Sequence, residues 1–284
     1  MLITKDIKII YKNDNGEEVE FSLLSDYYLE SVEEELKNDI TTTKSSIHGE
    51  NYITSSLDSR YISLNGIIEK NTLTKSFIKK LIKIVNPTIK GKLIYTNNNE
   101  YKEIECILEE IPSIENNNGL IRFNISLQSC NPFWKEREQV EQLALLTAKL
   151  SFPLNIPKNN GIVFGLKKSV LENEIINIGD VESGFKVLFK ARGTVKNPKI
   201  YNKLTGEFIK INYTMNKDDI LEVINYPEKK KITINEKENG FKYLDISTTF
   251  FNLVIGKNII GYLAEENTVN LDVIMYYTPR FLGV

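Results

Sequence analysis

One histidine, His48, and two cysteines, Cys106 and Cys130, are the only imidazole and thiol groups among the 284 residues. A Ser–His or Cys–His nucleophile pair would have to use His48. It sits in KSSIHGEN beside Gly49, no Gly-x-Ser-x-Gly elbow accompanies it, and it reads as a solvated loop residue. Zinc needs several Cys or His at fixed spacing, which one His and two distant Cys do not supply. The cysteines lie in alternating apolar runs, KEIECILEEI and IRFNISLQSC. That context predicts two buried free thiols rather than a disulfide.

Carboxylates come in adjacent sets: Glu33-Glu34-Glu35, Glu109-Glu110 and Glu265-Glu266. Adjacent residues of a strand face opposite sides, so none of these sets can flank one glycosidic bond as a hydrolase requires. They read as solvated surface charge. Asp14-Asn15-Gly16 and Asp180 do not extend into the spacing of an EF-hand loop and read as turns. No GxxxxGK[ST] or GxGxxG occurs. The sequence therefore predicts no catalytic, cofactor-binding or metal-binding residues, no cofactor and no enzyme activity. Sugar stacking would need an exposed aromatic face. Trp134, the sole tryptophan, stands at a domain junction and is expected to pack between the two halves, its N–H on a backbone partner. Tyr201, Tyr213 and Tyr226 lie in strand-like runs where packing explains them.

Composition narrows the partners. Hydrophobic residues are 41% and charged residues 26% of the chain, with a net charge of −2. This suits a soluble globular protein and argues against a nucleic-acid binder, which would carry a basic excess. The arginines are only Arg60, Arg122, Arg137, Arg192 and Arg280, whereas bidentate phosphate or guanine clamps favour arginine. No apolar run approaches about 18 residues, so no membrane-spanning helix is implied. The start, MLITKDIKII, lacks the pattern of a secretory signal.

Strand periodicity dominates the elements that would position any site. Ile3 to Ile10 and Val19 to Leu24 flank Asn13-Asp14-Asn15-Gly16, a hairpin signal because Asn and Gly accept positive φ. Residues 60–69, 92–96, 101–109 and 120–129 alternate likewise. Residues 72–86 instead space Leu73, Phe77, Leu81 and Val85 four apart, with Ile78 and Ile82 beside them, predicting an amphipathic helix ended by Pro87. Residues 26–58 read as a long polar loop, ordered by a partner or mobile. After Asn131-Pro132-Phe133-Trp134 a short helix is expected over 136–149. Phe152-Pro153-Leu154 and Ile156-Pro157 then mark an extended linker. From about 150 onward short strands recur: 162–166, 173–178, 184–192, 199–202, 207–213, 219–225, 230–235, 250–255, 258–263 and 269–277. Turns about ten residues apart predict a sandwich. The fold class is mainly β: an α+β domain over 1–134, a linker or short helix over 135–150, and a β-sandwich over 151–284.

These tags follow a familiar order. The first half has Val85-Asn86-Pro87, Gly91-Lys92-Leu93-Ile94-Tyr95, Glu105-Cys106-Ile107-Leu108 and Asn131-Pro132-Phe133-Trp134. The second has Ile178-Gly179-Asp180-Val181-Glu182-Ser183-Gly184, Gly193-Thr194-Val195-Lys196-Asn197-Pro198-Lys199-Ile200, Phe250-Phe251-Asn252-Leu253-Val254-Ile255-Gly256-Lys257-Asn258 and Arg280-Phe281-Leu282-Gly283-Val284. The succession resembles the phage distal tail protein (Dit) family, siphovirus-type tail components. The resemblance implies a galectin-like second domain. It also implies a virion tail-tip (baseplate) protein, made in the host bacterial cytoplasm, that assembles into a ring, typically a hexamer. Its first domains would enclose the channel through which genomic DNA passes without specific binding. Its partners would be the tail tube protein, the tail-associated hub protein and a receptor-binding protein, with no membrane contact. The family often carries inserted domains in its second half, some of them sugar-binding, for which this chain has no room. A carbohydrate-binding adhesin using the sandwich is the alternative. Ring closure needs a heterologous interface, and edge strands of the first domain are candidates for it.

Overall fold

The computed structural model describes residues 3–45, 47–68, 72–117, 119–144, 146–148, 165–167 and 172–284. They fall into two compact units. One runs to Glu136 and takes back Phe281–Val284; the other is Arg137–Arg280.

The first unit is built from β1 (Ile7–Asn13), β2 (Glu18–Ser22), β3 (Tyr27–Glu35), β4 (Asn38–Lys44), β5 (Glu50–Leu57), β6 (Arg60–Ile68), α1 (Thr74–Ile84), β7 (Gly91–Asn97), β8 (Glu100–Leu108), β9 (Ser113–Asn117), β10 (Leu120–Ser129) and β11 (Trp134–Lys135). Seven of these run in the order β8-β7-β1-β2-β3-β6-β10, and β10 then pairs with β8. The seam is short, Leu127 opposite Leu108 and Gln128 opposite Ile107. It is enough to close the sheet into a barrel. The Asn-rich turns do what their residues predict. Gly16 takes φ +83° and Asn98 φ +51°, left-handed values that Gly and Asn tolerate. The Asn13 side chain accepts from Glu17 N–H at 3.0 Å and donates to Ile84 C=O at 3.2 Å, tying the first turn to the helix end.

Alternation fills the barrel. Ile7, Ile9, Tyr11, Val19, Phe21, Leu29, Leu64, Leu93, Ile104, Phe123 and Ile125 are buried in one core. The helix adds Leu81, Ile84 and Val85, with Phe77 and Ile78 partly covered. Leu73 and Ile82, expected on that apolar face, are exposed instead, because the helix buries a stripe narrower than its apolar arc.

Several expectations are corrected here. Residues 26–58 are not a loop. They hold β3, inside the barrel sheet, and then β4 and β5, an antiparallel hairpin paired only with itself. Trp134, expected at a domain junction, is buried in the first unit's core. Its N–H meets the Glu34 carboxylate at 3.2 Å rather than a backbone group. Glu34 is therefore no solvated charge. Arg60, whose side chain is 3% exposed, makes an ion pair with it. Arg60 also donates to Pro132 C=O at 2.7 Å and to Leu282 C=O at 2.5 Å. One guanidinium thus binds strand β3, the end of β10's exit and the chain's last residues together.

The second unit contains β12 (Gln139–Ala144), β13 (Leu146–Ala148), β14 (Gly165–Lys167), β15 (Glu172–Asn177), β16 (Phe185–Ala191), β17 (Val195–Lys196), β18 (Lys199–Asn202), β19 (Phe208–Lys210), β20 (Thr214–Met215), β21 (Ile220–Tyr226), β22 (Lys229–Ile234), β23 (Glu238–Asn239), β24 (Gly256–Leu263) and β25 (Leu271–Tyr277). A six-stranded sheet, β12-β25-β16-β21-β22-β23, and a four-stranded sheet, β15-β24-β18-β19, share a core of Phe185, Val187, Phe189, Val223, Ile200, Ile260 and Tyr262. The expected helix over 136–149 is instead strand β12, paired with β25 from Gln139↔Tyr277. Residues 250–255 are not a strand either. Phe251 and Leu253 are buried, yet only an isolated bridge, Ser183↔Leu253, pairs the segment. Buried asparagines replace the ladder: Asn225 donates to Phe251 C=O at 2.5 Å, Asn177 to Leu253 C=O at 3.1 Å and Asn258 to Val254 C=O at 2.9 Å. Side-chain amides can satisfy main-chain groups in this way. The linker expected at Phe152-Pro153-Leu154 and Ile156-Pro157 lies outside the described residues, as does most of the strand expected at 162–166.

Removing one partner of a buried ion pair leaves the other charge uncompensated. Arg60→Ala is therefore expected to destabilise the first unit by about 3 kcal/mol. Because Trp134 is the only tryptophan, its fluorescence reads that unit alone during urea unfolding. An unchanged midpoint would remove the structural role assigned to Arg60.

Candidate functional site

No constellation of catalytic groups forms among the described residues, and no cluster of three or more His, Cys, Asp or Glu side chains there is placed to hold a metal. His48 sits exposed in the turn between β4 and β5. Glu109 and Glu110 are exposed after β8. Glu265 and Glu266 face lysines, Lys210 at 2.7 Å and Lys196 at 2.8 Å. Asp14 lies in the β1–β2 turn, where its N–H bonds Lys90 C=O at 2.9 Å, and Asp180 N–H bonds Arg280 C=O at 2.9 Å. The three tyrosines pack. Tyr201 lies over Gly261, where a Cβ would come within 2.2 Å of the ring. Tyr213 tilts against Tyr243 with centroids 5.0 Å apart. Burial pushes the Tyr226 hydroxyl up to about 12.

The thiols separate. Cys106 is buried as expected, but Cys130 is exposed, because the inward positions of β10 are 123, 125, 127 and 129 and the next residue falls on the outward phase. Burial first, and Glu105 to a lesser degree, push the Cys106 thiol up to about 12.

What the first unit offers is surface of two contrasting kinds. Across β1, β2, β7 and β8 the outward side chains form cross-strand ion pairs: Lys8–Glu20 at 3.4 Å, Lys12–Glu18 at 3.4 Å and Lys92–Glu103 at 2.7 Å. Strands β3, β6, β9 and β10 hold no lysine at all. Their outward side chains form an uncharged ladder: Asn65 donates to Ser31 at 3.1 Å, Asn124 to Asn65 at 2.6 Å, Ser126 to Asn124 at 3.3 Å, and Gln128 to Tyr61 at 3.2 Å. Glu30, Glu33, Glu35 and Glu115 add negative charge. The exposed cation, Arg122, lies 3.6 Å from Glu30. A shallow groove of about 270 Å³ opens there, lined by Glu30, Asn65, Ser113, Glu115, Arg122 and Asn124. A second groove, about 560 Å³ and apolar, lies beside Leu24, Tyr28 and Leu120.

The third feature is the β4–β5 hairpin, an arm exposed along both strands except for the half-covered Ser55. Sequence reading missed it as an element because its pattern, NDITTTK and ENYITSSL, has few apolar residues to alternate. The signal that could have found it is the density of Thr, Ile and Tyr, which favour extended backbone.

Comparison with known proteins matches both units. A model of the siphovirus-type tail component C-terminal domain matches residues 178–281, and a model of the phage tail protein RIFT-related domain matches residues 14–129. The fold is similar to the crystal structure of Dit from phage SPP1, at 12% identity and a TM-score of 0.69, covering 96% of this chain and 99% of that one. A chain of the phage P2 baseplate, in its activated conformation with calcium, aligns at 12% identity and a TM-score of 0.49, covering 98% of this chain and 99% of its own. No curated protein matches the chain.

An exposed thiol ionises and reacts, whereas a buried one held above its ordinary range does not. Iodoacetamide at pH 8 should modify Cys130 alone in the native protein, and Cys106 only after denaturation, as read by peptide mass. Equal labelling of both in the native state would show that the β8 edge opens.

Proposed function

Because the chain belongs to the siphovirus-type tail component family, as a phage distal tail protein, we propose that its working form is a closed ring, a hexamer, at the tail tip. In this reading the ring joins the tail tube to the tail-associated hub, and the second units anchor a receptor-binding protein. The first units surround the channel, with the lysine-free face of β3, β6 and β10 turned towards it.

The observation that carries the reading is that asymmetry of charge. Lysines that neutralise phosphates release counterions and so bind DNA tightly, with affinity rising for each contact. A conduit must avoid this, and a ring multiplies every residue on its inner wall by the number of subunits. An amide and hydroxyl wall edged with glutamates leaves a passing duplex solvated and ungripped. The lysine–glutamate faces of β1, β2, β7 and β8 then lie elsewhere, where their mutual pairing neutralises them. The ring itself requires a heterologous contact that closes by rotation, and a barrel that leaves an arm projecting has an asymmetric element from which to build one.

Light scattering after size exclusion, across concentration and with negative-stain imaging of the largest species, tests this directly. The expected result is closed rings of roughly six subunits. A monomer at every concentration would overturn the ring reading. For the lining, Asn65→Lys with Asn124→Lys should create measurable, salt-sensitive affinity for double-stranded DNA in assembled rings while the unaltered rings show none. Equal retention of DNA by both would remove the lysine-free face from the channel.

A further inference from the structure

Arg60 gathers its three acceptors from very different distances along the chain. Glu34 is 26 residues away, Pro132 is 72 and Leu282 is 222. The first two lie in the part of the chain made before the second unit. The third comes from Phe281–Val284, a segment that belongs to the first unit but follows the whole of the second. Lys102 reaches the same segment. Its ammonium donates to Gly283 C=O at 2.9 Å, across 181 residues, and stands 4.4 Å from the centre of the Phe281 ring. A cation over an aromatic face is a modest attraction that adds to the hydrogen bond. Phe281 lies in the strand next to β11, which carries Trp134. Phe281 and Val284 pack on the barrel core without being buried in it, and Leu282 is 43% exposed.

The barrel closes without this segment. Its seam is made by β8 and β10, and Arg60 keeps two acceptors when Leu282 is away. The segment is therefore an outer layer, held by two cations and two half-covered side chains. A layer with so few buried contacts opens locally at far less cost than the barrel beneath it. Order of synthesis points the same way. Chains grow at about 5–20 residues per second, and domains fold N-terminal first. Residues up to Glu136 thus have the time needed to make Arg137–Arg280 in which to form a barrel before the segment follows. Closing the longest loop is also the costliest of the three Arg60 contacts in chain entropy.

We propose that Phe281–Val284 is a clasp on the first unit. Docked, it covers the cluster of Arg60, Glu34 and Trp134. Undocked, it leaves a folded barrel with that cluster open to solvent. Docking is the last step in the folding of the first unit, so the finished state of that unit depends on a second unit already made. Two of the clasp's contacts are main-chain carbonyls, at Leu282 and Gly283, and a Cβ at Gly283 would meet open space. Side-chain changes there are tolerated, whereas Phe281 and Lys102 act through their side chains.

The test uses the full chain and its sole tryptophan. Deleting Phe281–Val284 should raise acrylamide quenching of Trp134 several-fold and quicken hydrogen exchange at residues 60–62 and 134–135. Peptides from β1, β2 and β7 should keep wild-type protection. Lys102→Ala and Phe281→Ala should give the same change in smaller measure, and Leu282→Ala and Gly283→Ala should give none. On refolding from urea, shielding of Trp134 should lag the return of the far-ultraviolet sheet signal, and that late phase should be missing from the deleted chain. Unchanged quenching in the deleted chain overturns the proposal. Loss of protection throughout β1–β10 overturns it too, since the segment would then be part of the barrel's fold rather than a clasp upon it. Neither result bears on ring formation, which light scattering reads separately.

Discussion

Closure of the first barrel at Leu108 and Leu127 is the constraint on which the rest of the unit depends. The seam is only two residue pairs long, because β8 and β10 splay apart beyond it. Their splayed edges are then taken by others: Lys135 of β11 pairs with Glu103 of β8, and β9 pairs with Leu120–Asn124 of β10. Closure removes the free edges by which sheets aggregate. Among the described strands, β9 and the β4–β5 hairpin keep an unpaired edge.

Much of this was legible in the sequence where local chemistry and global packing agree. Asn13 to Gly16 were read as a hairpin turn because their residues accept left-handed backbone, and they form one. The helix was found by its spacing and stopped where Pro87 requires. The sandwich was found from strands recurring every ten residues. Reading failed where a residue's role is decided by what lies across space. Glu34 looked like its neighbours Glu33 and Glu35, and only the fold brings Arg60 and Trp134 to it from 26 and 100 residues away. Residues 250–255 were read as a strand from their apolar content, but the side chains of Asn177, Asn225 and the nearby Asn258 supply hydrogen bonds to their carbonyls. Val140 and Leu143 have a helical interval, yet the vacant edge of β25 draws that segment into strand β12, since tertiary pairing overrides weak local preference. Residues 38–57 were read as part of a polar loop because few apolar residues alternate there, so the hairpin they form was missed.

Electrostatics divide the barrel in a way that net charge hides. A total of −2 conceals one side where lysines and glutamates alternate and another where lysine is missing. Exposed pairs such as Lys8–Glu20 contribute little stability each. Their consequence is local neutrality instead: a surface that neither attracts nor repels at distances beyond about 8 Å at physiological salt. On the other side, the amide ladder through Asn65 and Asn124 satisfies its own donors and acceptors, so it has little need to borrow partners from a passing molecule. That side is polar, self-satisfied and weakly negative, the opposite of a surface built to bind phosphates.

The arm gains its meaning from the cost of leaving it alone. Ordering a residue's backbone costs about 1–2 kcal/mol, and a two-stranded hairpin recovers little of that from its own cross-strand pairs. The contacts it does hold are few: Thr42 to Glu50 at 2.6 Å and Tyr52 to Ser55 at 2.9 Å. Ile40, Tyr52 and Ile53 stay exposed, so the about 1.5–3 kcal/mol that burying such a side chain contributes is missing from the hairpin, and its own ladder carries what order it has.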